Sequence, residues 1–199
     1  MRYLPLAGIA ALFGIGVGWR AWLHRRRYGS WGIVLLSGGP AQVRRDGLLL
    51  LLLAVVIGAQ AVVYALRPDA IAARMVMPPF DVSGAIVLFG GIALMVRAQL
   101  DLGASWRVGI DESAKPGLVT GGLYTLARNP IFTGMLLALA GLALLVPTWL
   151  SFIALAGGTI GIRRQVLQEE AYLRRTYGAD YLAYATRVGR FVPGVGRLR

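Results

Sequence analysis

Residues 47–66 read GLLLLLLAVVIGAQAVVYAL, without a single charge. A helix of about twenty such residues matches the roughly 30 Å hydrocarbon core of a bilayer. Segments 3–22 and 82–100 are also long and apolar, each with a single arginine near its end. A fourth apolar stretch, 131–162, is interrupted by Pro147-Thr148-Trp149. Proline and a polar turn give a stop and a restart, so this stretch reads as two short helices in a tight hairpin. The expected fold is an all-α integral membrane protein with five transmembrane helices, the last two a short helical hairpin. Segments 101–131 and 163–199 then form a cytoplasmic cap, helical at the C-terminus. One domain spans 1–199, with three transmembrane spans in 1–100.

Composition agrees, since 57% of the 199 residues are hydrophobic, above the roughly 45–50% usual for soluble domains. The absence of cysteine excludes disulfides and thiolate metal sites. His24 is the sole histidine, which excludes a histidine metal cluster, and beside arginines 25–27 it reads as a solvated flank residue. Those arginines follow the first apolar run instead of preceding it, the reverse of a secretory leader. The net charge of +12 raises the question of nucleic acid. The basic residues, however, flank apolar runs. Sixteen lie in 23–46, 101–131 and the tail from 163, against Arg2, Arg67 and Arg74 on the other side. This bias places the N-terminus outside and the C-terminus in the cytoplasm. Arg20 and Arg97 are expected to snorkel from helix ends. Topology accounts for the charge, and no nucleic-acid partner is expected. Gly14-x-x-x-Gly18 and Gly157-x-x-x-Gly161 fit close helix packing in lipid.

The polar segments are not generic connectors. The tail reads RRQVLQEEAYLRRTYGADYLAYATRVGRFVPG over 163–194. On a helix continuing from the fifth span, Val166, Leu167, Leu173 and Tyr177 form an apolar stripe. Glu170 falls inside that stripe, and Glu169 sits on its shoulder beside Gln165 and Tyr172. A carboxylate on a packed face needs a partner or a purpose; an i,i+4 surface pair with Arg174 is the alternative. Gly178 breaks the helix, and a shorter one follows over 179–188. It carries Tyr181, Tyr184 and Val188 on one face, with Arg187 beside Tyr184.

The loop 101–131 is long and holds Asp111-Glu112, Lys115-Pro116-Gly117 and Gly121-Gly122. These glycines permit close backbone approach to a ligand, or tight turns. It runs into GGLYTLARNPIFTG, 121–134. Pro130 suits the first turn of a helix. Arg128 and Asn129 therefore stand at a helix start, where free amides and the positive dipole end favour an anion. No Ser/His/Asp order, Walker motif or GxGxxG appears.

Two blocks in this order resemble the isoprenylcysteine carboxyl methyltransferase / phospholipid methyltransferase family. They are Gly122, Tyr124, Arg128-Asn129-Pro130, Phe132 and Gly134, then, after the hairpin, Glu169-Glu170, Leu173, Tyr177-Gly178, Tyr181, Tyr184, Val188, Arg190-Phe191 and Pro193. The resemblance covers roughly 95–195. It implies an integral membrane enzyme that uses S-adenosylmethionine without a Rossmann domain, making 101–199 the cofactor-binding half. It implies a lipophilic acceptor entering laterally from the bilayer. Cofactor-binding residues are then Leu118, Tyr124, Arg128, Asn129, Pro130, Glu169, Glu170 and Tyr181, with Arg128 on the cofactor's carboxylate and a glutamate on its cationic groups. Arg187 and Glu170 are the implied catalytic residues, and no metal is implied. The acceptor is a prenylcysteine-type carboxylate, a lipid amine or a thiol, and the location a prokaryotic inner membrane. The rival readings are an NADPH-dependent reductase of the sterol-reductase type and a catalytically silent scaffold. NADPH would call for more positive charge in 101–131 than Arg107 and Lys115 supply, and a silent shell is expected to lose the Glu pair or Arg187. Asn129 departs from the family's usual histidine and cannot take a proton near neutral pH.

Overall fold

The computed structural model describes residues 1–33, 41–108 and 117–198. Asp111, Glu112, Lys115, Pro116 and Arg199 lie outside the described residues. Helix α1 (Leu4–Phe13), a π-helical stretch (Gly14–Trp19) and α2 (Arg20–Tyr28) follow one another without a break. Then come α3 (Ala41–Leu66), α4 (Pro68–Ala72), α5 (Asp81–Leu102), α6 (Pro130–Leu145) and α7 (Trp149–Arg187). Among the described residues the only β pairing is three isolated bridges. Three helical segments are long and apolar enough to cross a membrane: Leu4–Tyr28, Arg44–Leu66 and Asp81–Ser105. They contain almost all of the three apolar runs read from the sequence.

The hairpin forms where Pro147 interrupts the fourth apolar stretch. Helix α6 has 16 residues, about 24 Å, short of a full hydrocarbon thickness. Thr148 caps the next helix, its side chain accepting from Ser151 N at 3.2 Å. The turn is anchored to α3, because Gln60 Nε2 donates to Ser151 Oγ at 2.7 Å and Thr148 Oγ1 donates to Gln60 Oε1 at 3.2 Å. Helix α7 continues for 39 residues, interrupted by non-helical geometry at Gly178 (φ 50°, ψ −120°). That conformation is open essentially to glycine alone, so the expected break occurs at that residue.

The core sits where α5 crosses α6, with Leu88, Ile92, Leu142 and Leu145 buried between them. Glycines on both helices let the backbones touch. A Cβ on Gly91 would lie 2.6 Å from Ala138 N and 2.7 Å from Gly134 O, and one on Gly141 only 2.4 Å from Leu88 N. The expected pairs behave differently. Gly14 and Gly157 have open space at the Cβ position, and Gly18 approaches only its own helix. Gly161, against Leu50, is the member of those pairs that packs.

Two residues expected to be solvated are buried. His24, at 4% exposure, approaches the Ser30 and Ala104 carbonyls (2.8 and 3.3 Å) and lies near Trp106. Arg20 does not snorkel. It is 2% exposed, donates to the Gln99 and Gly103 carbonyls at 3.2 and 2.8 Å, and lies over the Trp106 ring. The end of α5 leaves carbonyls without helical partners, and a buried cation-bearing side chain supplies donors to them.

Candidate functional site

The site is assembled from three stretches distant in sequence. Segment 127–129 lies beside 189–190: Arg128 N donates to Gly189 O at 2.8 Å and Asn129 N to Arg190 O at 3.0 Å. Thr133 Oγ1 adds a bond to Phe191 O at 2.7 Å. The start of α6 is thus stitched to the chain that follows α7, with Glu170 of α7 between them.

Glu170 is 7% exposed. Its Oε1 accepts from Arg128 Nε and Nη2 (3.2 and 3.0 Å), from Asn129 Nδ2 (3.2 Å) and from Arg190 Nε (3.1 Å). Its Oε2 accepts from Arg190 Nε and Nη2 at 3.1 and 2.9 Å. The expected anion corner therefore exists, but its anion is the chain's own glutamate. Arg128 also donates to the carbonyls of Ala185 (3.0 Å), Val188 (2.6 Å) and Gly196 (3.1 Å). With the two bonds to Glu170, all five guanidinium N–H groups have acceptors. A cofactor carboxylate at Arg128 would have to displace one of them; in the structure the guanidinium pins Glu170 and three carbonyls. The surface pair with Arg174 is likewise replaced, since Glu170 faces inward to Arg128 and Arg190. Asn129, the residue that departs from the family pattern, is a two-way donor to Glu170 and to Arg190 O. Pro130 is buried at the first position of α6.

The tyrosines form the adjoining wall. Tyr181 and Tyr184 are buried edge to face at 6.3 Å, with Leu118 and Tyr177 packed against them. Tyr184 Oη donates to Tyr124 O at 2.7 Å, and Gly117 N donates to Tyr177 Oη at 3.2 Å. Burial raises the phenols of Tyr124, Tyr181 and Tyr184, Tyr181 to about 12, so all three stay protonated donors. Tyr181 Oη is buried and without a hydrogen bond; it lies beside Arg128, whose donors all point elsewhere. Arg190, by contrast, is held protonated first by its bonds to Glu170.

Glu169 stands apart from the clamp. Burial pushes its carboxyl upward, Arg107 opposes this, and the Glu170 charge adds to it. Tyr124 feels its charge directly. At the end of α5, Asp101 Oδ2 accepts Leu123 N at 2.9 Å and pairs with Arg97 through Oδ1. This approach requires Gly122 (φ 60°), whose Cβ would lie 2.4 Å from the carboxylate. Arg187 is exposed, its Nε turned back to Ala183 O at 3.1 Å, outside the clamp.

Sequence reasoning missed Arg190 as a site residue although it stood in the quoted R-F-x-P block. Its role depends on Glu170, twenty positions away. Asp46 was missed too, despite being an acid at the edge of an apolar run. It is 4% exposed, with Gln168 Nε2 at 2.8 Å and Arg164 Nε at 3.4 Å.

These stretches coincide with a sequence relationship. Residues 80–180 match the phospholipid methyltransferase family. Over 115 residues the chain is 30% identical to Protein-S-isoprenylcysteine O-methyltransferase A of Arabidopsis thaliana, which covers 56% of this chain and 58% of the plant protein. The match thus spans less than two thirds of that relative's length. With half its length inside the family match and both blocks of the clamp reaching into it, this chain belongs to the phospholipid methyltransferase family.

Proposed function

We propose that this chain is a membrane methyltransferase that moves a methyl group from S-adenosylmethionine to a lipophilic or small acceptor. The observation that carries this reading is the family match over 80–180, which takes in Arg128, Asn129 and Glu170 of the clamp. In this reading one domain spans 1–199. Five helices cross the membrane, with α6 and residues 149–162 of α7 as the hairpin, and the N-terminus is outside. The site faces the cytoplasm of a prokaryotic inner membrane.

Two observations support the fit to a positively charged cofactor: Glu169 is a carboxylate outside the clamp, and Tyr181 has a buried hydroxyl without a partner. The cofactor, when bound, supplies an electrophilic methyl group on a sulfonium. The chain's task is alignment and exclusion of water. Glu170, held by Arg128, Asn129 and Arg190, fixes α7 against the start of α6 and so sets the position of Glu169. Leu118, Tyr124 and Tyr181 wall the site and keep it dry. Arg187 positions or polarises the acceptor from the exposed side.

Asn129 does not act as a base, because it takes no proton near neutral pH and its amide is committed. A carboxylate acceptor, as the plant relative's name implies for that protein, needs no base. For an amine or thiol acceptor, Glu169 with its raised affinity for protons is the residue suited to take one. The test is calorimetric titration of the purified chain with S-adenosylmethionine, with NADPH alongside. Binding of the first and not the second is expected; no binding of S-adenosylmethionine at millimolar concentration sinks the reading.

A further inference from the structure

Helix α7 carries a second polar face that the clamp does not use. Gln165, Gln168 and Glu169 stand at i, i+3 and i+4, on one side of the helix and roughly 100–160° around from Glu170. Gln165 is only 8% exposed, and its Oε1 is buried with no hydrogen-bond partner. The Gln168 Oε1 is in the same condition. Its amide orientation is fixed, because Nε2 donates to Asp46 Oδ2 at 2.8 Å, and Asp46 is in turn held by Arg164. Two carbonyl oxygens are therefore kept out of water and unpaired beside a carboxylate. Native proteins seldom leave such atoms without a purpose. Arg107 faces Glu169 and offsets part of its charge; neither glutamine carbonyl gains a donor from it.

A face built from acceptors suits a group that brings positive charge or N–H donors. We infer that the Gln165 and Gln168 carbonyls, with Glu169, receive the cationic end of the methyl donor, its sulfonium or its ammonium. This rests on the methyltransferase reading. It also makes Gln165 Oε1 a binding atom with no hydrogen-bonding duty in the fold.

That separation supplies the test. In Gln165→Met the volume is kept and the unpaired carbonyl removed, so the thermal midpoint of the purified full chain is expected to stay or rise. Affinity for S-adenosylmethionine by calorimetry is expected to fall about tenfold or more, the loss of one hydrogen bond or close contact to a charged group. Titration with S-adenosylhomocysteine, which keeps the ammonium and lacks the sulfonium charge, separates the two sources. An equal fall for both ligands assigns the ammonium, and a fall for S-adenosylmethionine alone assigns the sulfonium. Gln165→Glu keeps an acceptor of the same reach and is expected to retain binding. Wild-type affinity in Gln165→Met overturns the inference while leaving the methyltransferase reading intact; failure of the wild-type chain to bind either ligand overturns both.

Discussion

Replacing Glu170 by alanine removes the anion around which segments 127–133 and 188–198 close. Two arginines lose their partner, but unequally. The Arg128 side chain is 1% exposed and keeps only the carbonyls of Ala185, Val188 and Gly196. The Arg190 side chain is 23% exposed and can turn to water. Breaking a buried ion pair by deleting one partner costs about 3–5 kcal/mol. The remaining carbonyls and the exposure of Arg190 place this case at the low end, about 3 kcal/mol. Much of that loss falls on the segment the clamp holds, and each 1.4 kcal/mol is about tenfold, so roughly a hundredfold increase in its local opening is expected. Amide hydrogen exchange reads this directly at Asn129, Arg190 and Leu198, whose N–H groups donate to Arg190, Val195 and Ala185. Arg174→Ala serves as the control and should change nothing. Exchange in Glu170→Ala within about threefold of wild type would refute the clamp as a stabilising unit, since threefold is only ~0.7 kcal/mol.

Further perturbations address other parts of the fold. Asn129→Ala deletes a donor to Glu170 and Arg190 and should cost about 1–2 kcal/mol by denaturant titration. Asn129→Asp sets a second carboxylate against Glu170 Oε1 and should cost more than the alanine variant. Gly141→Ala drives a Cβ into the Leu88 backbone and is expected to destabilise by about 2 kcal/mol or more, whereas Gly14→Ala, with open space around it, should be near neutral. Glu169 holds its proton to higher pH in the folded chain than in the unfolded one. The folded state therefore binds more protons, and stability declines as pH rises from the ordinary carboxylate range through the raised folded value. Thermal melts of Glu169→Gln at pH 5 and pH 8 should show that decline flattened; an unchanged pH slope would contradict the shift.

Local pattern carried much of the architecture. Long apolar runs marked the long helices, Pro147 the hairpin turn, and Gly178 the break in α7, because each depends on residues within one or two turns. The packing glycines were less legible. Gly91, Gly134 and Gly141 matter through what faces them across α5 and α6, and the GxxxG spacing pointed instead to Gly14 and Gly157, which face open space. His24 and Arg20 were read by their neighbours in sequence, whereas their burial is set by Trp106 and the end of α5, some eighty residues on.

The same division runs through the site. The sequence by itself determined that an anion belongs beside Arg128 at the start of α6, and that Glu170 falls on a packed face and needs a partner. It could not join these two statements, because helical periodicity relates residues three or four apart and the pair is separated by 42 positions. Tertiary structure decided that each is the answer to the other. It made Asn129 a donor within the clamp, brought in Arg190 as the second cation, and left Glu169 with the unpaired Gln165 and Gln168 carbonyls on a separate face. Burial is the physical reason. Once Glu170 leaves water, its charge must be met by donors already in place, and only the folded chain can supply them from three distant segments at once.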